Sequence, residues 1–278
     1  MKFDNKPLRV IATDLDGTLL PHGGQFHAND LDALIRLGEQ GIVRIIATGR
    51  SLWSAQKVLH DDFPIDYLVF SSGAGIYCWK EKRLLHSYSI PFEDVRMAMN
   101  LFKAHNLAFT LHHKSPFNHQ FYYHKGTNPH PNLFDYLSHY HPHGTLMHDE
   151  AEAGEYSQLL AFMPNKALFD QLRPEIVNMK TVRATSPIDN SSIWLECFNP
   201  KVSKANGIIM ICQQQGISPD QVGVIGNDYN DLDMLNAFAH AGVVNNAPDE
   251  LTKQFLVLPS VNDAGFSHFV ASSVLALS

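Results

Sequence analysis

The sequence predicts an α/β protein: a doubly wound parallel sheet whose chain is interrupted by a separate α+β unit. Three observations carry this reading. Short, β-branched, nearly unbroken apolar runs recur at Leu8–Thr13, Ile42–Ala47, Tyr67–Ser71 and Val222–Ile225, as expected of strands buried on both faces. Helical apolar patterns separate them, and strands alternating with helices give a parallel sheet. Between about Lys80 and Asn190 this rhythm stops, and Pro, His and aromatic residues crowd together.

Taken in order, the first run ends at Asp14-Leu15-Asp16-Gly17-Thr18. Asn29 or Asp30 is placed to cap a helix with Leu31, Leu34 and Ile35 on one face, closed by Gly41. The second run leads into Thr48-Gly49-Arg50, and Ser51 reads as the cap of another helix. The third leads into Ser72-Gly73-Ala74-Gly75. In the interrupting segment, ten of the sixteen histidines lie between His105 and His148. His119–His124 reads as an exposed strand, with His119, Phe121 and Tyr123 on one face. The alternation resumes near Trp194, with a helix expected over Lys201–Gln215. The fourth run stops at Gly226-Asn227-Asp228-Tyr229-Asn230-Asp231. A helix, a short strand over Ala241–Val244 and a last helix near Ser267–Leu277 complete the chain.

Composition narrows the function classes. The 278 residues carry 45% hydrophobic and 18% charged side chains, enough for a real core. The formal net charge of -7 argues against a nucleic-acid partner. Three cysteines, Cys78, Cys197 and Cys212, fit neither a disulfide framework nor a zinc site and suggest a reducing compartment. The N-terminus has charges through its apolar stretch and does not read as a signal peptide. No apolar run approaches a bilayer span. The expected location is cytoplasmic, with no membrane partner; oligomeric state is left open.

Four clusters carry chemistry, each where a buried strand ends or a helix begins, which is where open α/β sheets hold ligands. In Asp14-x-Asp16-Gly17-Thr18, one carboxylate can attack phosphorus and hold an acyl phosphate. The second, two residues on, can protonate a leaving oxygen and later deprotonate water. The same residues also read as an ordinary acidic turn. Thr48-Gly49 offers a hydroxyl and a helix start to a phosphate, or is simply a turn. Lys204, near a helix start, can neutralise phosphate and nucleophile together, or is a surface lysine. The oxygen-rich loop Gly226–Asp231 suits magnesium, or is a polar turn. Histidines of the interrupting segment, such as His112-His113 and His139-x-His141-x-His143, read chiefly as a solvated surface, since no carboxylate or cysteine pattern accompanies them.

In this order and spacing, the four clusters resemble the haloacid dehalogenase superfamily, in its phosphatase branch and more narrowly the Cof-type subfamily (class IIB, with a large inserted cap). The match is strongest over Ile11–Leu20, Ile46–Arg50 and Asn199–Ala247. The resemblance implies a Rossmann-like catalytic core over 1–79 and 191–278 and a cap over 80–190. It implies Asp14 as nucleophile and Asp16 as general acid/base, with Thr48, Gly49 and Lys204 binding phosphate. It also implies Mg2+ on Asp14, the Asp16 carbonyl, Asn227 and Asp231. One departure stands out: the family usually has Asp where this chain has Asn227, so Asp228 is a further candidate ligand. Ser72, where the family often has Asn, is a smaller departure. The activity implied is magnesium-dependent hydrolysis of a small phosphorylated metabolite, a sugar phosphate or cofactor-precursor phosphate. Two other readings use the same residues: phosphotransfer through the same intermediate, and a phosphate-binding sensor without turnover.

Overall fold

A computed structural model describes residues 7–147, 153–186, 188–189 and 191–274. The chain divides into two compact units: one comprises Met1–Arg50, Gln56–His86 and Ser203–Ser278, the other Ser51–Ala55 and Ser87–Val202.

The first unit opens with β1 (Val10–Thr13), α1 (Ala28–Glu39) and β2 (Val43–Ala47). The chain then makes one helical turn, α2 (Leu52–Ala55), which belongs to the second unit. It returns for β3 (Tyr67–Phe70), β4 (Gly75–Cys78) and β5 (Arg83–Ser87). The second unit follows with α3 (Phe92–Ala104), β6 (Phe109–His113), β7 (Phe121–His124), α4 (Pro131–His139), β8 (Gly144–Leu146), β9 (Tyr156–Met163), α5 (Lys166–Leu172), β10 (Lys180–Thr185) and β11 (Ile193–Phe198). The first resumes with α6 (Lys204–Gln214), β12 (Val222–Gly226), α7 (Leu232–Ala237), β13 (His240–Val244), α8 (Asp249–Thr252), β14 (Leu256–Leu258) and α9 (Gly265–Val274). The expected last helix ran to Leu277; residues 275–278 lie outside the described residues.

The eight-stranded sheet has the order β14-β13-β12-β1-β2-β3-β4-β5. It is parallel from β14 to β3 and turns antiparallel at β4. Both faces are covered, which is why its central strands are apolar throughout. Val10 and Ala12 join a core with Ile208 and Ile211 of α6 and Met234 of α7. On the opposite face, α1 packs against α9, and Phe269 of α9 reaches Gly223 beside Ile11. The helix expected to begin at Asn29 or Asp30 is capped instead by His27, whose ring accepts from the Asn29 amide at 3.1 Å. Asp30 is fully buried and accepts from the Ser267 amide at 2.8 Å, tying α1 to the start of α9.

In the second unit, a six-stranded sheet has the order β10-β11-β9-β6-β7-β8. Alternate residues of β6, β9 and β11 face α3 and α5, through Phe102, Phe169 and Leu172. The others face α4, through Leu133 and Tyr136. Two local expectations are corrected here. The apolar stretch around Trp194 does not return to the parallel sheet; as β11 it pairs antiparallel with β9 and β10. Covered on both faces, it carries the same apolar signature as a parallel core strand. The His119–His124 segment is not an exposed strand either: Phe121 is 1% exposed and packs under Tyr136.

Candidate active site

The carboxyl ends of adjacent strands bring the four clusters of the first unit together. β1 lies between β12 and β2, so Asp14, Asn227 and Thr48 follow three neighbouring strand ends. The ladder continues one residue past β1, with the Asp14 amide donating to the Ile225 carbonyl at 2.9 Å.

Asp14 is 4% exposed. Its Oδ1 accepts from Lys204 Nζ at 2.6 Å and its Oδ2 from Thr18 Oγ1 at 3.1 Å. Lys204 is equally buried and spans two carboxylates, its Nζ also lying 2.7 Å from Asp231 Oδ1. The helix α6 places it there: Ser203 is the N-cap and accepts from the Asn206 amide at 2.9 Å, making Lys204 the first helical residue. The helix thus starts three residues later than the expected Lys201.

Electrostatics at this triad are opposed. Burial pushes the Asp14 carboxyl up, to about 7, against the pull of Lys204 and with the help of Asp231. Burial also disfavours the Lys204 ammonium, but the two carboxylates outweigh it and hold the lysine charged, above its usual range. A buried cation held between two anions is balanced locally only when every member is present.

Asp16 is half-exposed and is gripped by a residue given no role in the sequence reading. Arg50 donates from Nε to Asp16 Oδ2 and from Nη2 to Asp16 Oδ1, both at 2.7 Å. The intervening Thr48 is buried, and its hydroxyl accepts from the Arg50 amide at 3.1 Å. Gly49 lies near Ser72 and Asn230: a side chain there would meet Ser72 Oγ at 3.8 Å and Asn230 Nδ2 at 4.0 Å. The Asn230 Oδ1 atom is buried without a hydrogen-bond partner among the described residues.

The Gly226–Asp231 loop wraps around one carboxylate. Asp231 is fully buried, and its Oδ2 accepts from the amides of Asn227 at 2.9 Å and Asp228 at 3.2 Å. Gly226 leaves the space for it, since a Cβ there would fall 2.6 Å from the carboxylate carbon. Asp228 is the N-cap of the turn Tyr229–Asp231, its Oδ1 accepting from the Tyr229 amide at 2.8 Å. Asn227 turns the other way. Gly17 has φ +80°, and a Cβ on it would lie 2.4 Å from Asn227 Nδ2, so only glycine lets this carboxamide rest against the Asp16–Gly17 turn. Asn246 braces the same turn, donating from Nδ2 to the Gly17 carbonyl at 2.9 Å.

Asp14 offers a carboxylate and Asn227 an amide oxygen, donors of the hard kind that magnesium takes. Among the described residues no three His, Cys, Asp or Glu side chains cluster as a metal site. Magnesium does not require such a cluster, since it is held by one or two carboxylates with water and phosphate oxygens. The donor set therefore fits that ion and not zinc.

Comparisons with known proteins give the family and the fold. Residues 11–270 match the family of haloacid dehalogenase-like hydrolases. The 5-amino-6-(5-phospho-D-ribitylamino)uracil phosphatase YwtE of Bacillus subtilis (strain 168) is 24% identical over 283 residues, covering 95% of this chain and 97% of YwtE. The structure of BT1666 from Bacteroides thetaiotaomicron, analysed among phosphatases of the same superfamily, superimposes with a TM-score of 0.83 at 20% identity, covering 100% of this chain and 98% of that one. The subclass IIB sugar phosphatase BT4131 superimposes with a TM-score of 0.75 at 17% identity, over 97% of this chain and 100% of that one. With the family matched along nearly the whole chain, and its motifs meeting at three neighbouring strand ends, the chain belongs to the haloacid dehalogenase-like hydrolases, in their Cof-type branch.

Proposed function

We propose that this protein is a magnesium-dependent phosphomonoester hydrolase that passes through an aspartyl-phosphate on Asp14. One observation carries the reading: a buried ammonium, Lys204, lies 2.6 Å from a buried strand-end carboxylate, Asp14. A lysine placed so deeply serves an anion there, and a phosphoryl group on Asp14 would meet the same charge.

In this account Asp14 attacks phosphorus through one carboxylate oxygen while Lys204 and Thr48 hold the transferring group. Asp16 gives a proton to the leaving oxygen, then takes one from the water that attacks the acyl phosphate. Asp231 fixes Lys204 and the Asn227–Asp228 amides. Asp14, the Asp16 carbonyl and Asn227 would hold magnesium, which would supply positive charge against the phosphoryl oxygens. Asp228 caps the turn Tyr229–Asp231 through Oδ1, so we take Asn227 and not Asp228 as the ligand at this position.

The substrate we infer is a small phosphorylated metabolite. A phosphoribityl compound in YwtE and sugar phosphates in BT4131 mark the range among the relatives. We take the first unit as the catalytic core and the second as the cap that selects the leaving group, with the protein acting in the cytoplasm. Among the described residues no helix is long and apolar enough to cross a membrane. The test is release of inorganic phosphate from a panel of sugar and polyol phosphates, with magnesium and with chelator. Magnesium-dependent turnover of at least one ester is expected. Tight phosphate binding without turnover of any ester would favour a sensor instead.

A further inference from the structure

Lys204 reaches Asp14 and Asp231 from the first turn of α6, so its reach depends on how closely that turn approaches the sheet. Two glycines, one on each side of the contact, permit the approach. Gly207 lies one turn along α6 and meets β3: a Cβ on it would fall 2.5 Å from Val69 Cγ1 and 3.4 Å from Val69 Cβ. Gly73 meets the start of the helix, where its Cβ would fall 2.2 Å from the Ser203 carbonyl oxygen. That same carbonyl accepts from the Gly207 amide at 3.1 Å. All of these residues belong to the first unit.

The turn that carries Gly73 is held in a costly shape. Ser71 has φ +49°, Ser72 φ +56° and Gly73 φ +102°, three positive values in succession of which only the last is on a glycine. Other residues keep such angles only where their surroundings impose them. Here the Ser71 amide donates to the Arg50 carbonyl at 2.7 Å and the Ser72 amide to the Thr48 carbonyl at 3.0 Å. All three turn residues are buried. The turn is thus pinned to the Thr48 loop on one side and pressed against the start of α6 on the other.

We propose that Val69, Gly73 and Gly207 form a seat for α6, and that the depth of this seat sets the reach of Lys204 to Asp14 and to the phosphoryl group. They are positioning residues and touch no reacting atom. The tolerance is small. Relieving a 2.5 Å contact at Gly207 would lift the turn by a distance on the order of 1 Å, and Lys204 Nζ, now 2.6 Å from Asp14 Oδ1, would leave hydrogen-bond range. The lysine stem is buried and close-packed, with little freedom to make up the difference. The phosphoryl part of this inference rests on the role proposed above for Lys204.

The experiment measures binding of inorganic phosphate by calorimetry at constant magnesium. It compares wild type, Gly207→Ala, Val69→Ala, Gly207→Ala/Val69→Ala, Gly73→Ala and Gly73→Ala/Val69→Ala, each first shown to unfold cooperatively. Gly207→Ala and Gly73→Ala should weaken binding about 10–100-fold, the range of one hydrogen bond to a charged group. Val69→Ala alone opens a cavity, and should lower Tm while changing affinity less than about 3-fold. Added to Gly207→Ala, it should return affinity to within about 3-fold of wild type, since the colliding methyl is gone. It should not rescue Gly73→Ala, whose clash is with backbone. A Gly207→Ala variant that binds within about 3-fold of wild type, or that Val69→Ala leaves unrescued, would overturn the proposal. Should Gly207→Ala not fold, Val69→Leu, which thickens the seat from the strand side, takes its place with the same expected loss, and unchanged affinity there would overturn the proposal. A wild type that binds no phosphate would remove the phosphate-binding reading separately, and urea midpoints would then decide the seat. Lys204→Met should cost less in Gly207→Ala, or in Val69→Leu, than in wild type, and equal costs would overturn the proposal.

Discussion

Lys204 is the residue whose removal the structure prices most sharply. Its ammonium sits 2.6 Å from Asp14 and 2.7 Å from Asp231, with side-chain exposures of 1%, 6% and 0% for the three groups. At an effective dielectric near 20, each contact is worth roughly 6 kcal/mol before solvation is counted. Desolvating the ions cancels most of that gain, so the intact triad adds little net stability. Removing the cation is different, because it strands two carboxylates in a buried site. Lys204→Met, similar in length and apolar, should therefore cost about 3–5 kcal/mol, the range for breaking a buried ion pair. Lys204→Met/Asp231→Asn removes one stranded charge and should recover about 1–3 kcal/mol of the loss, a coupling expected of contacting residues. The assay is urea unfolding followed by circular dichroism, at pH 7 with chelator present. A Lys204→Met loss below about 1 kcal/mol, or a double variant less stable than the single, would refute the reasoning.

Other perturbations test separate parts of the account. Asn227→Asp should tighten magnesium binding at least several-fold, read by calorimetry in the presence of inorganic phosphate, because it adds a charged oxygen beside Gly17. In the same titration Asp228→Ala should change affinity little and Asp231→Ala should weaken it strongly, since Asp231 holds the amides of Asn227 and Asp228. In the second unit, His112 is buried against Thr110 Oγ1 at 2.9 Å and the Asn118 carbonyl at 2.7 Å, and burial lowers its pKa from 6.5 to about 4. Between those values the unfolded chain binds more protons at this position than the native one, so stability falls as pH drops from 6.5 to 4. The shift corresponds to roughly 3 kcal/mol. His112→Asn should remove most of that slope in urea titrations across the window; an unchanged slope would assign the acid sensitivity elsewhere.

Much of the site could be read from sequence because its logic is local. A β-branched run that stops at a carboxylate places that carboxylate at a strand end, and the Asp14, Thr48 and Gly226 loops all obey this rule. Side-chain reach across the sheet could not be read so. Arg50 closes the Thr48-Gly49-Arg50 motif, but nothing in that tripeptide says that its guanidinium returns to a residue 34 positions earlier. Asp30 looked like a helix cap because cap residues and buried acceptors share a composition; only the approach of Ser267 separates the two. Trp194 looked like the return of the parallel sheet because a strand covered on both faces has one signature, whichever way its neighbours run. Trp53 belonged to an unremarkable helix start, and its packing depends on rings 66 to 90 residues away, at His119, Tyr140 and His143.

The central claim is that Asp14 carries the phosphoryl group. Acid-quenched single turnovers of wild-type protein, digested and analysed by mass spectrometry, test it most directly. One phosphoryl group is expected on the peptide containing Asp14, formed no more slowly than phosphate is released, labile to hydroxylamine and absent in Asp14→Asn, which should also lose turnover. Phosphate release with no phosphorylated Asp14 at any quench time, or turnover retained in Asp14→Asn, would contradict it.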